Sequence, residues 1–276
     1  MERQTLQSSF SLDGVGLHNG RACRATVHPA PSGAGLFFVV DGVEIPARVG
    51  AVVETRLATT LAAGGATVRM VEHLLAALYA LGVDDAAIAV EGGEVPVLDG
   101  SALPWVMGVL SVGLRGQGEA RDPLVVVAPL TVSLPEGRRA TVSPASSLSL
   151  SVAIDFAHPA IGRQSRSIDL GRPGAFATEL SWARTFGFAA EVEALRASGL
   201  IAGGSLDNAL VFGPDGSLNP EGLRAADEPV RHKLLDLVGD LALLGRPLHA
   251  HVEVERPGHT LTAALTAALL GLGDSA

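Results

Sequence analysis

Residues 228–244, EPVRHKLLDLVGDLALL, are the most informative stretch of the chain, because they combine the apolar repeat of a helix with a row of chemically active side chains. Leucine and valine recur there every three or four positions, which predicts a helix. Four residues of an α-helix turn through about 400°, so side chains four apart point in nearly the same direction. His232, Asp236 and Asp240 therefore lie on one face. An imidazole and a carboxylate one turn apart can bind a divalent metal ion.

The same face has a simpler interpretation, a solvated surface that carries two acids. Lys233 favours the interpretation as a metal site over the solvated surface. It is the only lysine in the chain, and every other positive side chain is an arginine. Lysine and arginine are not interchangeable where a compact ammonium group must face an oxyanion.

A second helix is predicted over residues 68–81, VRMVEHLLAALYAL, with Gly82 after its end. Glu72 and His73 lie inside its apolar pattern. Burying such a polar pair costs desolvation free energy unless the two side chains are hydrogen-bonded or belong to a functional site. Neighbouring residues on a helix point about 100° apart, so one of the two would bind a metal ion and the other would reach a water. With His232 and Asp236, His73 completes the three ligands of a catalytic zinc site. The alternative is a partly exposed polar turn.

His259 precedes a predicted C-terminal helix that runs from about residue 260. A histidine in such a position is either an exposed loop residue or a proton donor in a site whose base is a carboxylate. Asp240 lies too far along its helix to join the metal ligands, and it would hold the second ring nitrogen of His259.

The remaining elements predict an α+β fold of two similar domains, because strands occur in runs rather than in strict alternation with helices. The polar stretch GQGEARDP (116–123) separates residues 1–117 from residues 124–276. Strands are predicted at 20–29, 35–40, 43–49, 86–90, 124–134, 139–142, 148–156 and 249–255. Further helices are predicted at 101–114 and 186–198, and a hairpin at 203–213. The similar order of elements in the two halves suggests a duplication.

Composition excludes several classes of protein. The 276 residues are 47% hydrophobic and 18% charged, with a net charge of −9 and no basic run, which argues against a nucleic-acid partner. One cysteine excludes a disulfide framework. No secretory signal is apparent, and no apolar run reaches the roughly 18 residues of a membrane span. We therefore expect a cytoplasmic protein without stable membrane insertion, and by default a monomer.

Several motifs together resemble one enzyme family. They are GVGLHNG (14–20), VEHLLAAL (71–78), EVPVLDGSALPWV (94–106), DFAHPAIG (155–162), ARTFGF (183–188), GLIAGGSLDNALVF (199–212) and the stretch around 228–244. The chain is similar over nearly its whole length to the zinc-dependent UDP-3-O-acyl-N-acetylglucosamine deacetylases of Gram-negative bacteria. That resemblance implies helices sandwiched between the sheets of two domains, with the site at their junction. It also implies removal of the N-acetyl group from UDP-3-O-(3-hydroxyacyl)-N-acetylglucosamine, the committed step of lipid A synthesis.

The resemblance assigns roles to individual residues. It makes His73, His232 and Asp236 the metal ligands, Glu72 the general base and His259 the general acid. Lys233 and Asp240 would assist them, and Thr185 would lie near the developing oxyanion. The segment 186–212 would form a hydrophobic passage for the acyl chain, and substrate contacts are expected at Phe156, Arg138, Phe186, Gly204 and Ser205.

Two positions depart from the family pattern. Ala157 stands where an asparagine is common, and Ser143 stands where a nucleotide-contacting lysine often precedes a proline. Arg138 or Arg139 would supply the missing charge. These departures leave open a zinc deacetylase of another nucleotide sugar. A separate alternative is a non-catalytic module that binds acylated nucleotides and uses zinc only structurally. Two imidazoles and a carboxylate also accept iron(II) as well as zinc.

Overall fold

The computed structural model describes the backbone of residues 2–273 and the side chains of residues 2–271. The first half of the chain contains two helices, α1 (Glu72–Ala80) and α2 (Leu103–Val112). Its strands are β1 (Glu2–Leu6), β2 (Phe10–Val15), β3 (Ala22–Pro29), β4 (Leu36–Val40), β5 (Val43–Pro46), β6 (Val52–Glu54), β7 (Thr60–Ala63), β8 (Ala66–Val68), β9 (Ala86–Glu91) and β10 (Leu114–Ala120).

The second half contains four helices, α3 (Ala175–Glu179), α4 (Val192–Ala197), α5 (Glu228–Leu241) and α6 (His259–Gly273). Its strands are β11 (Leu124–Val125), β12 (Leu130–Leu134), β13 (Arg138–Pro144), β14 (Ser149–Asp155), β15 (Arg163–Asp169), β16 (Phe186–Phe188), β17 (Leu210–Gly213), β18 (Gly216–Ser217) and β19 (Leu248–Glu255). Short 3₁₀ turns lie at Val49–Ala51, Ala189–Glu191 and Ala242–Leu244.

The two halves have the same sheet topology. The first large sheet has the strand order β2-β3-β9-β4-β5, and the second has β12-β13-β19-β14-β15, with β11 beside β19. In each five-strand order the last strand in sequence lies in the centre, parallel to one flanking strand and antiparallel to the other, and β19 also pairs in parallel with β11. The prediction of an α+β fold from two similar halves is confirmed.

Each half also carries a small three-stranded sheet. Strands β6, β7 and β8 precede α1, whereas β16, β17 and β18 precede α5. Helices α1 and α5 occupy equivalent places, since each leads into the central strand of its large sheet. The two sequence motifs that carry the candidate metal ligands therefore lie on equivalent helices of the two halves.

The helices fill the space between the large sheets. Helix α5 packs on β14 and β15, α6 packs on β12 and β13, and α2 packs on β2, while α1 packs against both α2 and α5. The buried apolar side chains of both halves form one continuous core. Among the described residues, no helix combines the length and the apolar character needed to cross a bilayer.

The contact between α1 and α5 is unusually close at one residue. A Cβ atom at Gly239 of α5 would overlap the backbone carbonyl of Glu72 in α1. Glycine at this position therefore lets the two helix backbones touch. The touching point lies at the first turn of α1, where Glu72 and His73 begin the helix.

Several predicted boundaries are wrong for local reasons. Helix α1 begins at Glu72 rather than at residue 68, because residues 66–68 form strand β8 and Met70 has a left-handed φ of 59°. The predicted break at 116–123 is in part a strand, since β10 pairs with β1 through residue 120. The stretch predicted as one strand at 124–134 is two strands, β11 and β12.

The insert of the second half was also mispredicted in part. Residues 186–198 are not one helix, because Phe186–Phe188 forms β16 and only Val192–Ala197 is α-helical. The predicted hairpin at 203–213 consists of turns followed by β17, whose hairpin partner is β18. The division into domains 1–117 and 124–276 stays a prediction.

Replacing Gly239 by alanine should weaken the whole fold. The added methyl group forces α1 and α5 apart, and overpacking of this kind costs about 1–3 kcal/mol. Urea denaturation measures the free energy of unfolding. Gly50→Ala in the 3₁₀ turn Val49–Ala51 is the matched control, because a Cβ there meets no described atom within 4 Å and Gly50 has no left-handed φ. Equal stability of the Gly239 variant and the wild type would refute the close-contact argument.

Candidate metal centre and active site

Three buried side chains converge between α1 and α5. Ligand atoms of His73, His232 and Asp236 all lie within 4.8 Å of one another. Oδ1 of Asp236 is 3.6 Å from Nε2 of His73 and 3.2 Å from Nε2 of His232. The two imidazole rings are perpendicular, with centroids 5.0 Å apart. Two nitrogens and one oxygen facing a common point form a donor set that can hold a divalent metal ion.

The surroundings of His232 prepare it as a ligand. Its Nδ1–H donates a hydrogen bond to the carbonyl of Ala183 at 3.1 Å, which leaves Nε2 unprotonated and turned toward Asp236. Burial lowers the pKa of His232 to about 3, so the ring is neutral at physiological pH. Neutral imidazole is the form that binds metals.

The third ligand is held ionised. Burial by itself would raise the pKa of the Asp236 carboxyl group, but His232 and Lys233 hold it well below its usual range. The Lys233 ammonium donates to Asp236 Oδ2 at 2.7 Å. Asp236 thus keeps Oδ1 available on the side of the two histidines.

A carboxylate, an imidazole and a second carboxylate form a chain beside this cluster. Glu72 Oε1 is 3.8 Å from His259 Nε2, and His259 Nδ1 lies 2.8 Å from Asp240 Oδ2. All three side chains are buried. The His259–Asp240 contact has the geometry in which Asp240 fixes the tautomer of the ring and leaves Nε2–H directed at Glu72.

Sequence reasoning missed Thr59, which bridges the two carboxylates of this chain. Its backbone N–H donates to Glu72 Oε2 at 3.1 Å, and its hydroxyl donates to Asp240 Oδ1 at 2.7 Å. No motif marks this threonine, because it lies next to β7, far in sequence from both acids. Only the folded chain brings it between them.

The environment shifts the two proton-carrying groups in the same direction. Burial raises the pKa of the Glu72 carboxyl group. Burial alone would lower the pKa of His259, but the adjacent Asp240 carboxylate outweighs it and raises that pKa to about 10. His259 is therefore protonated at neutral pH and can donate a proton.

A cavity of about 330 Å³ opens next to the metal cluster. Lys233, which bonds to Asp236, lines it, so the cavity leads to the site. Its other lining residues are Glu136, Arg138, Ile154, Asp155, Phe156, Arg256 and Pro257. The lining thus has three cations, two carboxylates and one aromatic ring, and the cations and the ring suit a ligand that has both a phosphate group and a flat heterocycle.

Two arginines flank this cavity, and the sequence pointed to only one of them. Arg138 lies against Gly258, where a Cβ would come within 2.7 Å of its Nη2. Arg139, the alternative source of charge, is exposed and is not among the lining residues. Arg256 was missed, and it donates to Asp155 Oδ2 at 2.7 Å and to the carbonyl of Glu136 at 3.1 Å.

Aromatic side chains also lie beside Lys233. The ammonium lies 5.4 Å from the ring centroid of Phe186, and Phe186 packs edge-on against Phe156 at 5.5 Å. Phe188 and Phe212 extend the cluster. The predicted contacts Phe156 and Phe186 thus lie together beside the lysine.

The other predicted substrate residues lie elsewhere. Gly204 and exposed Ser205 are in a loop that is tied to the 16–20 turn by hydrogen bonds from Ala202 and Gly203, and they are not among the residues lining the cavity. The backbone N–H of Thr185 donates to Gly100, and its carbonyl accepts from Leu210. The substrate contacts of Gly204 and Ser205 and the role of Thr185 near the oxyanion stay predictions.

Comparison with known proteins gives a consistent result. Residues 3–271 match the family described as LpxC, UDP-3-O-acyl N-acetylglycosamine deacetylase. A protein of Thermosynechococcus vestitus named UDP-3-O-acyl-N-acetylglucosamine deacetylase is 49% identical over 271 residues, which cover 97% of this chain and 93% of that protein. Proteins of the same name from Trichormus variabilis and Citrifermentans bemidjiense are 46% and 44% identical, each over 99% of this chain and over 100% and 90% of their own lengths. The chain belongs to the UDP-3-O-acyl-N-acetylglucosamine deacetylase family.

Proposed function

We propose that this protein hydrolyses the N-acetyl group of UDP-3-O-(3-hydroxyacyl)-N-acetylglucosamine and releases acetate, the committed step of lipid A synthesis. The observation that carries the proposal is the buried His73–His232–Asp236 cluster, with Glu72 and His259 near it and a cavity lined by Arg138, Arg256 and Lys233 beside it. Membership of the family supports both the reaction and the substrate.

The residues of the cluster fit zinc. Two neutral imidazoles and one carboxylate, with no fourth protein ligand in the cluster as described, match the donor set of catalytic zinc sites. A divalent ion held there supplies Lewis-acid chemistry, because it polarises the amide carbonyl and acidifies water. The same donors accept iron(II), so metal identity is part of the proposal.

Glu72 acts as the general base. Its Oε2 is held by the Thr59 N–H, which leaves Oε1 to take a proton from the attacking water. The water oxygen forms a bond to the acetyl carbon, and the carbonyl oxygen becomes an oxyanion. The Lys233 ammonium and the Thr185 hydroxyl stabilise that negative charge.

His259 acts as the general acid. Asp240 holds its Nδ1–H, so Nε2–H faces the reacting centre and is given to the departing nitrogen as the C–N bond breaks. The products are acetate and the free amine. The Asp240 carboxylate stabilises the protonated form of the His259 ring, which is why the pKa of His259 is high.

The cavity binds the UDP group. Arg138 and Arg256 face the diphosphate, and Phe156 stacks on the uracil. The segment 186–212 takes the acyl chain. We place the enzyme in the cytoplasm, where nucleotide-activated sugars are made, and we propose that it acts as a monomer.

Release of free amine from UDP-3-O-(3-hydroxyacyl)-N-acetylglucosamine tests the function. Chelation should abolish activity, and addition of Zn²⁺ or Fe²⁺ in separate samples should restore it and identify the effective metal. Glu72→Gln should keep metal affinity and lose about 10²–10⁴-fold in kcat, the usual size of a general-base contribution.

Glu44→Gln is the matched control, since Glu44 is an exposed acid on β5. Wild type that binds metal but releases no amine would refute the proposed substrate. Normal turnover by Glu72→Gln would remove Glu72 from the mechanism.

The pH profile tests the acid–base assignment. Glu72 must be deprotonated and His259 protonated, so kcat/KM should fall at low pH through the first pKa and at high pH through the second. Asp240→Asn removes the charge that raises the pKa of His259, so the alkaline limb should move to lower pH by about one unit or more. A flat profile, or an alkaline limb that stays in place in the variant, contradicts the assignment.

Two neighbouring arginines test the nucleotide site. Arg138→Met should raise the KM for the substrate and weaken inhibition by UDP about tenfold or more, because a charge-assisted hydrogen bond is lost. Arg139→Met on the same strand should leave both quantities unchanged, since that side chain is exposed. Equal effects of the two substitutions would show that charge near the cavity, and not the Arg138 contact, matters.

A further inference from the structure

A buried ion pair near the site has no part in the proposed proton transfers. Arg184 is 3% exposed and Glu228 is completely buried. Taking two charges out of water costs several kcal/mol per ion, and an apolar pair would often be as stable. The hydrogen bonds of this pair indicate a role besides packing.

Both oxygens of Glu228 hold the backbone of two loops. Oε1 accepts hydrogen bonds from the backbone N–H of Arg184 at 3.1 Å and from its Nε at 3.0 Å. Oε2 accepts from Nη2 of Arg184 at 3.3 Å and from the backbone N–H of Arg224 at 2.6 Å. Arg224 in turn donates from Nη1 to the carbonyl of Trp182 at 2.6 Å.

These contacts fix the residues on both sides of one carbonyl group. Residues 182 and 184 are held through Arg224 and Glu228, and Ala183 lies between them. The Ala183 carbonyl accepts the Nδ1–H of His232 at 3.1 Å. Glu228 precedes His232 by one helical turn on α5, so the acid and the histidine meet the same loop from the same helix face.

We infer that the buried Arg184–Glu228 ion pair is a positioning device that sets the metal affinity of His232 through the Ala183 carbonyl. The carbonyl decides which ring nitrogen carries the proton and how the ring is turned. Glu228 fixes the loop to α5, so the carbonyl and the ligand keep their relative positions. The inference rests on the proposed metal site but requires no substrate.

Arg184 has a second acidic partner that provides a matched control. Its Nη1 also pairs with Glu221, whose side chain is 54% exposed. Exposed ion pairs contribute little. Glu221→Gln therefore removes a charge from the same arginine without freeing the Ala183 loop.

The experiment measures Zn²⁺ affinity by competition with a chromophoric chelator, and thermal unfolding of the metal-free chain. Glu228→Gln should weaken Zn²⁺ binding about 10–100-fold, as loss of a partner behind a metal-binding histidine does. Glu221→Gln should stay within about twofold of the wild type. In ¹⁵N-histidine spectra of metal-free protein, the slowly exchanging Nδ1–H signal of His232 should be present in the wild type and lost in Glu228→Gln.

Arg184→Lys keeps the inference testable if Glu228→Gln does not fold. The lysine retains the positive charge but cannot contact both carboxylate oxygens and the Gly222 carbonyl as the guanidinium does. We expect an intermediate loss of Zn²⁺ affinity with the fold intact.

Two results would overturn the inference. A folded Glu228→Gln or Arg184→Lys variant with wild-type Zn²⁺ affinity and an unchanged His232 signal would reduce the pair to a stabilising contact. A wild-type protein that bound no metal would overturn the proposed function as well. Normal Zn²⁺ binding by the wild type without deacetylation would refute the substrate alone.

Discussion

The close contact of α1 with α5 governs the geometry of the metal cluster and of the groups around it. Glycine at position 239 lets the backbone of α5 touch the first turn of α1 at Glu72. Without that approach, His73 on one helix would not reach His232 and Asp236 on the other. One missing side chain thus determines whether the three ligands can share a metal ion.

The repeated topology explains why the site lies where it does. The two large sheets have the same strand order, and α1 and α5 precede the equivalent central strands. Packing the halves face to face brings these two helices together in the middle of the protein. Neither half alone carries the three ligands, so the site exists only in the joined structure.

Burying so many charged groups at one junction requires partners for each. Asp236 is neutralised by Lys233, Asp240 holds His259, and Glu72 receives the backbone N–H of Thr59. In a medium of low dielectric constant, these interactions are strong enough to move protonation equilibria in opposite directions. The same burial that lowers the pKa of His232 is outweighed at His259 by the hydrogen-bonded Asp240 carboxylate and by Glu72. At His232 the nearby Lys233 opposes the effect of Asp236, so burial prevails.

From the sequence alone, the two helices that carry the metal ligands and the spacing of their active side chains could be predicted, because helical periodicity and the i, i+4 relation are local properties. Ligand chemistry joined His73 with His232 and Asp236 into one predicted metal site, and the family resemblance assigned roles to Glu72 and His259 beside it. Thr59, Arg256 and the Arg184–Glu228 pair were decided only by tertiary structure. Each acts through contacts between separate segments of the chain. A pattern within one segment does not show which other segment packs against it.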